Sequence, residues 1–132
     1  MIKFEQENFC NWEASQALKN VCFNDGCFAH YSPTPKHLRI TKNPESLKNS
    51  TLPNGMFTVP LFTQAVKWLR KNNSIDIEIR WYGYYFNIDI LTGSNSDFDR
   101  TRIKMFETEP EAYNAGIIKA CEYIKNKPNN HE

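Results

Sequence analysis

Between residues 75 and 90 the chain alternates apolar and polar side chains, and no other feature narrows its possible folds as much. Ile75, Ile77, Ile79 and Trp81 alternate with Asp76, Glu78 and Arg80; Tyr84, Phe86, Ile88 and Ile90 alternate with Tyr85, Asn87 and Asp89. A period of two is the signature of strands with one face in a core and one in water. Two such runs flanking Gly83 predict a β-hairpin. Closing it at Tyr82-Gly83 pairs Trp81 with Tyr84, Ile79 with Phe86, Ile77 with Ile88 and Ile75 with Ile90, so every pair on the inner face is apolar. A one-residue slip would turn all of these side chains outward. A four-residue loop over 81–84 gives the same pairing and suits the backbone better, because Tyr is a poor first residue for a type I′ turn.

The flanks extend the pattern. Phe62, Ala65, Val66 and Leu69 stand at i, i+3, i+4 and i+7, which predicts a helix over 60–71 with Pro60 at its first position. Lys67, Arg70 and Lys71 gather where cations complement the helix dipole. After the hairpin, residues 92–99 read as a polar loop and 102–107 as a third strand that offers Ile103 and Met105 to the core. Thr108 with Glu111 fits a capping box and opens a helix reaching residue 125. Its buried stripe is Tyr113, Gly116, Ile117, Ala120 and Ile124, with Cys121 beside it. Gly116 costs about 1 kcal/mol relative to Ala in a helix, and close packing on the sheet is the reason expected for it.

The first half is less regular. A helix over 12–19 with Asn11 as N-cap and a short strand over 27–31 are expected. Residues 32–57 hold Pro33, Pro35, Pro44 and Pro53 and read as an irregular loop, interrupted by a strand near 37–41. Residues 127–132 read as a frayed tail. At 132 residues, 40% hydrophobic and 14% aromatic, the chain fits one domain. The fold class expected is α+β: an antiparallel sheet of about three to five strands packed by two to three helices, with the C-terminal part in αβββα order.

Several segments resemble a family of small phage- and prophage-type proteins from gut bacteria. They are Thr63-Gln64-Ala65 with Lys67-Trp68-Leu69-Arg70, and Phe106-Glu107-Thr108-Glu109-Pro110-Glu111-Ala112 running through Ala115-Gly116-Ile117 to Ala120. Ala17-Leu18-Lys19 before Cys22-Phe23 adds to the likeness. The resemblance covers most of the chain outside 32–57. It implies an accessory protein of phage or mobile-element type. It brings no assigned activity, so it implies no site residues.

The net charge of +1 gives no global field to recruit nucleic acid or an anionic membrane. The start of the chain has acids where a signal peptide has its apolar core, so a cytoplasmic protein with reduced thiols is expected. Cys22, Cys27 and His30 lie close in sequence, but their C-x4-C-x2-H spacing lacks the second pair a zinc site wants. Asn95, Asp97 and Asp99 open like a calcium loop, yet Arg100 and Phe106 stand where that motif needs Gly and Glu. No nucleophile–base motif or phosphate-cradling glycine loop is present. The sequence therefore predicts no enzyme, no cofactor and no metal.

The expected function is binding to another protein through the hairpin aromatics Trp81, Tyr82, Tyr84 and Tyr85, with homo-oligomerisation left open. The plainer expectation keeps Trp81 and Tyr84 in the core and only Tyr82 and Tyr85 wet. The alternative is an RNA-binding module, because double-stranded-RNA-binding domains share the αβββα order. Those domains grip phosphate at the start of the last helix, where this chain carries Glu107, Glu109 and Glu111, so nucleic acid is the less expected partner.

Overall fold

The computed structural model describes residues 8–32, 37–41, 47–53, 55–94 and 97–126. Within them lie three α-helices and two three-stranded antiparallel sheets, which is an α+β architecture. The sequence suggested a single sheet; the strands in fact divide between the two halves of the chain. The expected tail over 127–132 lies outside the described residues.

The C-terminal half carries the longer sheet. Strands β4 (Asp76–Trp81), β5 (Phe86–Ser94) and β6 (Asp97–Phe106) pair in sequence order. The inner face is the one alternation predicts, with Ile77, Ile88 and Ile90 buried. The register is not: Trp81 pairs with Phe86, Ile79 with Ile88 and Ile77 with Ile90. The chain turns at Gly83-Tyr84, one residue later than expected, and the Tyr82 N–H donates to the Tyr85 carbonyl at 2.9 Å. Gly83 has φ +93°, and as first of the two turn residues it occupies the place where a type II′ turn takes glycine. Moving the turn by one residue shifts the pairing by two, so each side chain keeps its face.

Residues 92–94 and 97–99 are strand and not loop. β5 runs through Ser94 and β6 begins at Asp97, with Thr92 opposite Asp99. Near the other end of β6 the register jumps between Phe86↔Phe106 and Ile88↔Ile103, so two residues, Lys104 and Met105, stand opposite Asn87. Met105 takes a left-handed backbone at φ +72° and donates its N–H to Asn87 Oδ1 at 3.1 Å. This β-bulge overturns the expectation for Met105, which is 69% exposed, while Phe106 packs against the core in its place.

Helix α3 (Glu109–Asn126) follows at once. Its capping box forms as expected: the Thr108 N–H donates to Glu111 Oε1 at 3.1 Å and the Glu111 N–H to Thr108 Oγ1 at 3.2 Å. Ala112, Gly116, Ile117, Ala120 and Cys121 are buried, with Tyr113 and Ile124 packed at the edge of the core. A Cβ on Gly116 would collide with Ile88 Cδ1 and stand 3.3 Å from Ile77 Cγ2. Glycine lets the helix lie that close to the sheet.

Helix α2 (Phe62–Asn73) starts two residues after Pro60, not on it. The Pro60 carbonyl instead accepts the Cys10 N–H at 2.9 Å, and Leu61 bridges Phe9. An isolated bridge to Phe9 and the hydrogen bond from Cys10 therefore claim the residues that would have opened the helix. Ser74 closes α2 with φ +55°, and the Ile75 N–H reaches back to the Leu69 carbonyl at 3.2 Å.

In the N-terminal half, α1 (Trp12–Asn20) is capped by Asn11 as expected, whose Oδ1 accepts the Ala14 N–H at 2.8 Å. The second sheet has the order β2 (His37–Ile40), β1 (Ala29–Ser32), β3 (Phe57–Val59). Strand β3 falls at the end of the stretch that read as irregular. It is three residues long and buried throughout, Thr58 included, so it is too short for alternation to betray it. Side-chain amides hold the connection between β2 and β3. Asn49 Nδ2 donates to the Phe23 carbonyl and its Oδ1 accepts the Thr58 N–H, both at 2.8 Å. One core cluster runs from Phe9 to Cys121 and joins residues of both halves.

Candidate binding surface

The β4–β5–β6 sheet has a face covered by α3 and a helix-free face, over which no described helix lies, and its hairpin tip belongs to both. Alternation puts Trp81 on the covered face, where its ring meets Phe86 at 4.6 Å between centroids. Tyr82 and Tyr85 fall on the other face and stack nearly parallel, 5.6 Å apart at 16°. Tyr84 has moved from strand to turn and is 87% exposed. Trp81 is 55% exposed. The plainer expectation for Trp81 and Tyr84 is thus overturned. Met105, raised by the bulge, is exposed at the same end of the sheet.

The helix-free face is built in rows across three strands. Asp76, Leu91 and Arg100 form one row; Glu78, Asp89 and Arg102 the next; Arg80 and Asn87 the third, beside Lys104; Tyr82 and Tyr85 close the end. Asp89, on the central strand, is only 2% exposed, yet it lies on the outer surface beneath arginine side chains and not in the core. Arg102 grips it with both arms: Nε to Oδ1 at 2.7 Å and Nη2 to Oδ2 at 3.0 Å. Arg100 Nη1 stands 3.4 Å from Oδ2. The fork from Arg102 holds the Asp89 carboxyl below the usual carboxylate range against the opposing effect of burial, with Arg100 and Arg80 adding to the pull. In return Asp89 keeps Arg102 firmly protonated. At the base of the face, Arg70 of α2 pairs with Asp76 at 2.9 Å.

Of these residues the sequence reading singled out only the aromatics. Arg100, Arg102 and Lys104 stand at alternate positions, and that spacing is the signal that would have found them. Arg102 and Lys104 fell in the segment read as the third strand, but Arg100 fell before its start, so the run of three was cut.

The other candidates come apart. Cys22 is exposed with φ +72°, whereas Cys27 is buried and its thiol is pushed up to about 12 by desolvation. Burial likewise raises Cys121 to about 12 and raises Cys10, so these three thiols are poor nucleophiles. Among the described residues no three His, Cys, Asp or Glu side chains are grouped to hold a metal ion. Asn95 lies outside the described residues, and Asp97 and Asp99 are in β6. A cavity of about 380 Å³ opens where α2 and α3 begin, lined by Leu61, Phe62, Thr63, Glu109, Pro110 and Tyr113. The Phe62 and Tyr113 rings stack there at 4.9 Å. No described helix is long and apolar enough to cross a membrane.

No protein-family model, curated protein or solved structure matches this chain.

Proposed function

We propose that this is a non-catalytic accessory protein of phage or mobile-element type, working in the cytoplasm by docking the tip end of its β4–β5–β6 sheet against another protein. One observation carries the reading: Trp81, Tyr84 and Met105 stand 55%, 87% and 69% exposed at one end of one sheet. Exposing large apolar side chains is unfavourable for the free protein, and aromatics with Met and Arg are the residues enriched at protein interfaces. The partner supplies the cover these side chains lack.

The αβββα order shared with double-stranded-RNA-binding domains supports a different partner only at the level of topology. The first turn of α3 holds Glu109 and Glu111, which oppose the phosphate that those domains bind there, so duplex RNA is not the ligand proposed.

Photo-crosslinking from position 84 in the native host is the direct test. A discrete protein adduct, lost in a Trp81→Ser variant that keeps its melting temperature, is the expected result. An adduct pattern unchanged by Trp81→Ser, or no adduct, counts against the reading.

A further inference from the structure

We propose that the helix-free face of β4–β5–β6 binds single-stranded nucleic acid. This goes beyond the docking of the tip and uses other side chains. Charge comes first. Arg70, Arg80, Arg100, Arg102 and Lys104 border or occupy this face against Asp76, Glu78 and Asp89, an excess of two positive charges on a chain whose total is +1. All five cations are exposed. Glu109 and Glu111 lie in the first turn of α3, which packs on the opposite face; Glu107 directly follows Phe106 at the tip end of β6, and counting it leaves an excess of one.

Orientation comes second. Cations on an edge strand such as β6 discourage sheet-to-sheet pairing, but that role needs only charge. Here Asp89 fixes the guanidinium of Arg102 and stands 3.4 Å from that of Arg100. The fork on Arg102 uses Nε and Nη2, and Nη1 has no partner among the described residues. A planar guanidinium held this way is suited to phosphate oxygens.

The stacked Tyr82–Tyr85 pair is the third element. It ends the same face about 13 Å along β4 from the row of Arg102, four residues at the strand rise. Cationic side chains tracking a backbone beside rings that stack on bases are the two components of single-strand binding. A duplex hides its base faces and would leave the tyrosines unused. An acidic peptide answers the cations but brings no flat ring to the pair.

Fluorescence anisotropy with labelled twelve-nucleotide oligo(dT) and oligo(U), against a duplex of equal length, tests the proposal. With phosphates on Arg80, Arg100, Arg102 and Lys104, affinity should fall roughly 50-fold between 50 and 200 mM salt, from a slope of about 0.7 per phosphate for single strands. Tyr82→Ala should weaken binding roughly tenfold, and Arg100→Glu with Lys104→Glu should abolish it. Lys125→Glu, on the last turn of α3, should leave it unchanged. Circular dichroism of each variant separates lost binding from lost fold. No binding at 50 mM salt overturns the proposal, as does tighter binding to the duplex, displacement by polyglutamate at equal charge, or indifference to the Arg100 and Lys104 changes. If the oligonucleotides fail while the position-84 crosslink persists, this proposal falls and the docking of the tip stands.

Discussion

The two sheets of this protein are held by different means. The C-terminal sheet has strands of 6, 9 and 10 residues joined by long ladders broken by one bulge, so its backbone pairing and one covered face suffice. The N-terminal sheet has strands of 4, 4 and 3 residues. It leans on an aromatic cluster, Trp12 against Phe57 at 4.7 Å and Tyr31 at 5.4 Å, and on the amide of Asn49. A long sheet can leave a face and a tip free for partners. A short one must commit its side chains to holding itself together.

Changes at the contact between α3 and the C-terminal sheet should do the most damage. Gly116→Val puts branched carbon into space already filled by Ile88 and Ile77, and Ile77→Asp buries an unpaired charge. Each should cost about 3–5 kcal/mol or prevent folding, read by urea denaturation. Either variant folding with native stability would mean that the helix does not rest on the sheet as described.

Phe57→Ala should cost about 3 kcal/mol, because the ring is buried and Trp12 and Tyr31 both lean on it. Hydrogen exchange sharpens the comparison: the amides of β1 and β3 should lose protection before those of β5. Equal loss in both sheets would show that they open as one unit.

The next effect depends on pH. The Asp89 pKa lies below its unfolded value of about 3.9. Its stabilising contribution is therefore present above that pH and is lost as pH falls through the folded value. Asp89→Asn should lower the melting temperature at pH 7 and narrow its gap from wild type in acid. His30 behaves in the opposite half of the sheet pair: burial, and then Arg39, lower its pKa. The unfolded chain takes up the proton first, so stability should decline as pH falls below about 6.5. A His30→Gln variant should lose that slope.

The smallest effect belongs to the tip. Tyr84→Ser should change stability by less than about 0.5 kcal/mol, since the side chain is 87% exposed. A large loss would place Tyr84 in the scaffold and remove it from the docking surface.

What was legible in the sequence follows from the same contrast. Alternation gave the faces of β4 and β5, and the spacing of Thr108 and Glu111 gave the start of α3, because each rests on residues adjacent in the chain. The placement of the turn did not follow, since Tyr82-Gly83 and Gly83-Tyr84 preserve the same faces and differ only in which backbone conformation Gly83 supplies. The bulge at Lys104 and Met105 depends on Asn87, a partner on another strand. β3 depends on pairing with β1 across the stretch of prolines. For the binding surface, alternation named the aromatics but not how much of each is covered, so Trp81 was assigned to the wrong side of the solvent boundary. The Asp89–Arg102 fork needed the pairing of β5 with β6, which the polar composition of 92–99 concealed.

Asn11 has a consequence for the order of assembly. Its side chain caps α1, while its own backbone N–H donates to Asn114 Oδ1 at 2.9 Å, and Asn114 Nδ2 in turn donates to the Pro110 carbonyl at 3.0 Å. On a translating ribosome α1 emerges before α3, and the acceptor for Asn11 lies 103 residues further along the chain. The earlier helix waits for the later one, and α1 is anchored to α3 only once Asn114 has been made.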